Sequence, residues 1–195
     1  LATPLMVKVS DGSNGSGNGV PGHEVIFRIT RGGGSLGNGN TEVAVQTDQF
    51  GVAKTSWTLG GVTGANNQEV RAFSTNAGAN LEGAPVIFLA TANAGTPSAE
   101  GSEIRATGPI PANGVTKSQI TVYVRDKFGN ALPNKAETLI ISPPGSYFVD
   151  QPTNLSNADG LVTGAFASLS AGAKVVTAKV LDSGTELNKG ATVQI

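Results

Sequence analysis

Thr47-Asp48-Gln49-Phe50-Gly51-Val52-Ala53-Lys54-Thr55-Ser56-Trp57-Thr58-Leu59 is the stretch on which the fold turns, because its outline recurs in the second half of the chain. Past the turn-forming Asp48 and Gly51, the residues Ala53, Thr55, Trp57 and Leu59 fall on one side of a period of two, the pattern of a strand with one buried face. The counterpart runs Asn157-Ala158-Asp159-Gly160 and continues with Val162, Gly164 and Phe166 on the equivalent face. Counting from each glycine, Trp57 and Phe166 occupy the same inward position. A large ring there contributes roughly 150–250 Å² of buried area, so both read as core plugs. Two copies of one pattern imply two copies of one fold.

Working outward, Asp11 with Val20-Pro21-Gly22 corresponds to Asp126-Lys127-Phe128-Gly129-Asn130 with Leu132-Pro133-Asn134, and each leads into an apolar strand, 25–29 and 138–141. Before the first, Leu5, Val7 and Val9 alternate with Met6, Lys8 and Ser10 to give an opening strand. Further strands are predicted at 41–47, 52–59, 69–74 and 84–92. The pattern restarts at Ile104 and Ala106, and continues at 119–125, 137–142, 147–150, 161–168, 175–181 and 191–195. The longest connections, 31–40 and 60–68, hold too much glycine for a helix. Asn93-Ala94-Gly95-Thr96-Pro97-Ser98 carries no core residue and marks a boundary between domains 1–94 and 95–195. The predicted fold class is all-β, two tandem immunoglobulin-like antiparallel β-sandwich domains.

Composition fits this division. The 195 residues are 38% hydrophobic and 14% charged, with 27 Gly and 10 Pro, a balance of short strands and many turns. A net charge of -1 supplies no field that would concentrate the chain on nucleic acid or anionic lipid, so neither is an expected partner. No apolar run approaches the ~20 residues that cross a bilayer, and no basic segment leads into an apolar one as in an export signal; anchors and signals are expected elsewhere in a longer parent. With no Cys, disulfides, thiolate chemistry and sulfur ligation of zinc are excluded.

Residues with chemical potential fall in settings that favour plain structural roles. His23, the sole histidine, has Ser10, Asp11 and Glu24 near in sequence, but neighbouring strand residues point to opposite faces and no elbow frames a serine; a solvated turn histidine is expected. Asp11, Asp48, Asp126 and Asp159 sit in turns, where such side chains bond their own backbone. Calcium needs several oxygens at one place; no cofactor is assigned, and the place that best suits calcium is near the linker, with Glu100, Glu103 or Asp126. Gly32-Gly33-Gly34 and the Gly-rich 15–19 stretch lack the Lys-Ser or Lys-Thr of a phosphate loop and read as flexible hairpin connections. Phe50, Phe128, Tyr147 and Phe148 could stack on a sugar, although Phe50 and Phe128 recur at turns where covering a sandwich end is the simpler role. Asn14-Gly15-Ser16 and Asn154-Leu155-Ser156 fit the glycosylation pattern, a match frequent by chance. No catalytic, cofactor-binding or metal residue is assigned.

The first copy's Pro4-Leu5-Met6-Val7-Lys8-Val9, Val20-Pro21-Gly22, Thr47-Asp48 with Gly51, and Trp57-Thr58-Leu59-Gly60 with Gly64 and Asn66 resemble the bacterial immunoglobulin-like tandem repeats of surface and secreted proteins. The second copy's Ala112-Asn113-Gly114, Ile120-Thr121-Val122 and Asp126-Lys127-Phe128-Gly129-Asn130 are similar to the invasin and intimin group. The resemblance implies an extracellular or cell-surface setting and a non-catalytic role in adhesion or spacing. Its implied partners are neighbouring repeats and a host or matrix protein or glycan, with no membrane contact by this segment. It transfers no binding residue. Members of the first group carry a short strand ahead of the Pro-Leu segment; only Leu1, Ala2 and Thr3 stand there here, so an uncovered edge or apolar groove is expected near the amino terminus. A carbohydrate- or receptor-binding module and an accessory unit of a secreted hydrolase are the alternatives.

Overall fold

The alternating stretches fold as strands. In the computed structural model, which describes residues 1–13, 16–76 and 78–195, the chain divides into the units Leu1–Asn93 and Ala94–Ile195. The first unit holds β1 (Leu5–Lys8), β2 (Glu24–Arg31), β3 (Gly34–Leu36), β4 (Glu42–Gln46), β5 (Val52–Thr55), β6 (Trp57–Leu59), β7 (Gly64–Phe73), β8 (Thr75–Asn76), β9 (Ala79–Asn80) and β10 (Val86–Ala92). One antiparallel sheet runs β10-β7-β2-β4, while β1 pairs with β5 and β3 with β6. Leu5, Leu36, Ala53 and Trp57 from these pairs share one core with Val25, Phe27, Val70 and Ala72 of the sheet, so the pairs form the facing layer.

The second unit comprises β11 (Glu103–Ala106), β12 (Ser118–Tyr123), β13 (Glu137–Ser142), β14 (Tyr147–Asp150), β15 (Leu161–Ser168), β16 (Ala173–Val180) and β17 (Glu186–Gln194). Its sheets run β11-β12-β15-β14 and β13-β16-β17. Labelled A to G in chain order, that is ABED facing CFG, the order of a constant-type immunoglobulin sandwich. Ile120, Val122 and Phe166 from one layer meet Leu139, Val176, Val180 and Leu187 from the other. Trp57 is 1% exposed and Phe166 0%.

The recurrence seen in sequence is a recurrence of register. Leu5 pairs Thr55 as Ile120 pairs Gly164, and Val7 pairs Ala53 as Val122 pairs Val162. Val9 N–H donates to Gly51 O at 2.8 Å, and Val124 N–H to Gly160 O at 2.8 Å. At the next turn, Asp48 Oδ1 accepts the N–H groups of Phe50 and Val52, and Asn157 Oδ1 those of Asp159 and Leu161. Asp48 therefore corresponds to Asn157, and Thr47 to Ser156. Both Thr47 and Ser156 are buried and staple the turn before the following strand: their hydroxyls donate to Val20 O and Leu132 O and accept from the N–H of His23 and Lys135.

Several details differ from the sequence reading. The 60–68 connection ends early, because β7 begins at Gly64, which pairs with Ala92. Gln68, fully buried, closes this loop by accepting from Gly60 N–H and donating to Val62 O. The 31–40 connection contains β3, and two of its three consecutive glycines are packed: all three have positive φ, a Cβ on Gly32 would meet the Gln68 amide at 2.4 Å and one on Gly34 would meet Thr58 O at 2.1 Å, while Gly33 faces open space. The Gly-rich 15–19 stretch lies partly outside the described residues.

Candidate functional site

Among the described residues of the first unit, β1 has a neighbouring strand on one edge only, β5. Val9 donates to Gly51, so by alternation Met6 and Lys8 turn their backbone N–H and C=O groups away from β5. Across from this edge lies β10, the outermost strand of the other layer. Between them runs a groove of about 380 Å³, floored by Val7, Val9, Val25 and Ala72 and walled by Leu81 and Val86.

The second unit carries a different feature at the position equivalent to Val25. Ile26 pairs with Phe73 and Thr138 with Lys179, which aligns β2 with β13 and places Glu137 where the first unit has valine. Glu137 is 4% exposed, and neither carboxyl oxygen has a hydrogen-bond partner. Burial pushes its pKa up to about 7, Asp182 adds to the rise, and Lys135 opposes it. Lys135 Nζ is itself committed to Asp182 at 2.6 Å.

Asp126 is a turn anchor. Its carboxylate accepts N–H groups from Phe128 and Asn130, the Asn130 amide, and the N–H of Gly95 at 2.9 Å. Burial works to raise its pKa, but these donors outweigh burial and lower it. Asp48 is lowered by the N–H groups of Val52 and Phe50. Glu103 is joined to Arg105, and among the described residues no three His, Cys, Asp or Glu side chains gather at one place. The acidic positions singled out in the sequence are thus not brought together; Glu100 contributes its carbonyl to Lys189 Nζ.

His23 is less solvated than its turn position suggested. Its Nε2 is buried without a partner beside a small cleft of about 140 Å³ lined by Ser74 and Thr75, and among the described residues its ring bonds neither Ser10, Asp11 nor Glu24. Phe50 and Phe128 are 65% and 63% exposed, so these rings project from the turns instead of covering the sandwich ends. Tyr147 packs edge-on against Phe166 and donates its hydroxyl to Pro143 O. Phe148 stays exposed and, with Leu169, lies within contact distance of a Cβ placed on Gly114, forming a small apolar patch near exposed Val115. Of the glycosylation patterns, Asn14-Gly15-Ser16 falls at residues of which the first two are outside those described, and in the other Ser156 is the buried staple. No helix among the described residues is long and apolar enough to cross a membrane.

Residues 102–195 match the family described as bacterial Ig-like domain (group 1). No curated protein matches the chain. Among solved structures, the chain is similar to invasin, a bacterial integrin-binding protein, at 22% identity and a TM-score of 0.43, covering 99% of this chain and 36% of that one. The D00-D0 domain of intimin aligns at 20% identity and a TM-score of 0.48, covering 88% and 83%. InvD of Yersinia pseudotuberculosis aligns at 22% identity and a TM-score of 0.48, covering 98% and 51%. The chain thus spans less than two thirds of the invasin and InvD chains.

Proposed function

We propose that the chain, whose residues 102–195 match the group 1 bacterial Ig-like domain family, is a non-catalytic pair of repeats, domains 1–94 and 95–195, serving as a spacer in an adhesive bacterial surface or secreted protein. The observation that carries this reading is how the second unit is closed. Its first and last strands lie side by side: Gly108 rests against Val193, and Ile110 N–H donates to Gln194 O at 3.0 Å. Tension applied through the two ends of that unit loads these contacts together with the β11–β12 ladder, so several bonds share the load instead of opening one at a time. That is the behaviour required of a tether between a cell and a distal binding region.

Pulling single molecules of the chain between its termini tests the proposal: the second unit is expected to give a cooperative, high-force unfolding event. Ile110→Pro, which removes the donor to Gln194, is expected to lower that force. A unit that extends gradually at low force overturns the tether role. The exposed Phe148, Leu169 and Val115 patch is the observation that favours a second reading, a host-protein or glycan contact. Saturable micromolar binding in a matrix-protein or glycan screen, lost in Phe148→Ala, would replace spacing with recognition as the unit's main job.

A further inference from the structure

Where the first unit buries Val25, the second buries an acid, and the groups around that acid form a linked set. Glu137 is 4% exposed, with neither carboxyl oxygen bonded. A carboxyl buried without a donor favours its neutral form, so the closed fold retains the proton under acidic conditions. The charges acting on it come from two neighbouring segments. Lys135, which leads into β13, attracts a negative carboxylate, and Asp182, in the turn between β16 and β17, repels one. Directly opposite on β16 stands Val180, while Lys179 and Glu186 pair on the outward face by alternation. Lys174, the buried lysine of β16, lies at the other end of that strand, about 20 Å away, and bonds Ala171 O. Asp126, a buried acid that follows β12 in the facing layer, is committed to the N–H groups of its own turn.

Lys135 is the movable member of the set. Its backbone is fixed on both sides, donating to Ser156 Oγ at 2.9 Å and accepting from Ser156 N–H at 2.8 Å, so a change of partner falls to the side chain. Its Nζ donates to Asp182 Oδ2 at 2.6 Å. Two residues of chain, at most about 7 Å, separate Lys135 from Glu137, a span that the flexible four-carbon stem covers. The ion pair ties the β16–β17 turn to the segment entering β13, alongside the bond from Leu181 N–H to Ala136 O at 2.8 Å. Within the turn, Val180 N–H donates to Thr185 O at 2.9 Å and Thr185 N–H to Ser183 Oγ at 3.3 Å.

We propose that Lys135, Glu137 and Asp182 form a proton-operated clasp. With Glu137 neutral, Lys135 holds Asp182 and pins the β16–β17 turn; when Glu137 releases its proton to solvent, Lys135 swings to the new carboxylate and frees the turn. The direction of exchange follows from what each acid meets when left alone. Asp182, its side chain 50% exposed, is solvated once released, whereas an ionised Glu137 is buried with no donor. The uncompensated buried charge is the costlier of the two, so the cation between them goes to it. Burial, with Asp182 adding to it, pushes the Glu137 pKa up to about 7, which places the exchange near neutrality. The outcome is a change in the local order of the β16–β17 hairpin, separate from any loss of overall stability, and it stands whether or not the chain serves as a spacer.

Nuclear magnetic resonance of the full, isotopically labelled chain between about pH 4.5 and 8.5 tests the clasp in the folded state, near the range where the buried acid ionises. The carboxyl carbons of Glu137 and Asp182 and the Cε of Lys135 are expected to shift together through one midpoint. Backbone order parameters of residues 182–185 should fall from about 0.85 to below about 0.6 through that same midpoint. Glu137→Gln keeps the shape of the side chain but does not ionise, and is expected to leave Lys135 and the turn unchanged over the whole range. Asp182→Asn, a change at an exposed position, releases Lys135 in advance and should strengthen Glu137 as an acid at least threefold; Lys135→Met should weaken it at least threefold. A Glu137 signal that titrates while Lys135 and Asp182 stay fixed overturns the proposal, because water and not lysine would then meet the charge. So does a Glu137 signal that is constant across the range, a turn whose order ignores pH, or a loosening that persists in Glu137→Gln.

Discussion

At the scale of single residues, the frame depends on a few positions that only one residue type fills well. Gly51 and Gly160 have φ of 75° and 72°, and a Cβ on either would lie 2.4 Å from the carbonyl oxygen of Val9 or Val124. Gly51→Ala and Gly160→Ala are each expected to cost about 2–4 kcal/mol, from strain plus collision with backbone. Gly22 has φ of 69° but open space around it, so Gly22→Ala should cost only about 1–2 kcal/mol in the same urea titration. Glu137 works in the opposite sense, as a residue the fold tolerates at a cost. Its folded pKa of about 7 exceeds the unfolded 4.5. Between those values the unfolded chain releases a proton that the folded one retains, so stability falls as pH rises through 4.5 to 7 and is lowest above 7. The full span is about 3 kcal/mol. Glu137→Val, copying Val25, is expected to abolish this slope and stabilise the second unit most at neutral pH, measured by unfolding at pH 4.5 and 7.5.

At the scale of elements, exposed strand edges need explicit management, and β13 shows how. Gln151 lies beside this edge and uses its side-chain amide as a substitute strand residue, accepting Leu139 N–H at 2.7 Å and donating to Leu139 O at 3.0 Å. Gln151→Ala should cost about 1–3 kcal/mol in urea unfolding and raise the tendency to self-associate at that edge. Such side-chain substitutes were not legible in the sequence, because Gln151 follows a strand without marking any period. The elements that were legible are those whose alternation meets a turn signal: the strands around Trp57 and Phe166, and the Asp11 and Asp126 turns. β7 begins earlier than its apolar pattern because its first residues stay largely outside the core and are held to β10 by the Gly64–Ala92 pairing and by Asn66 N–H donating to Thr91 Oγ1 at 3.1 Å. β3 hides among glycines, and β8 and β9 hold no apolar residue beyond Ala79. Glu137 does carry a usable signal: period two from Leu139 places it inward.

At the scale of the whole molecule, the two units carry separate cores, and the only tryptophan of the sequence lies in the first. Trp57 emission should therefore follow unfolding of residues 1–93 alone, while calorimetry follows both units. Raising the pH from 4.5 to 7 is expected to lower one calorimetric transition through Glu137 without that change in Trp57 emission; a common shift in both signals would mean that the units unfold as one. The matched turns carry a last consequence. Asp48 to Gly51 and Asn157 to Gly160 present the same accepting oxygen and the same glycine to the same backbone partners, and neither turn relies on its middle side chains. They are interchangeable cassettes: transplanting Asn-Ala-Asp-Gly into positions 48–51 should leave the first sandwich folded while erasing the exposed Phe50 ring, so the protein's outer chemistry can be rewritten there without disturbing its architecture.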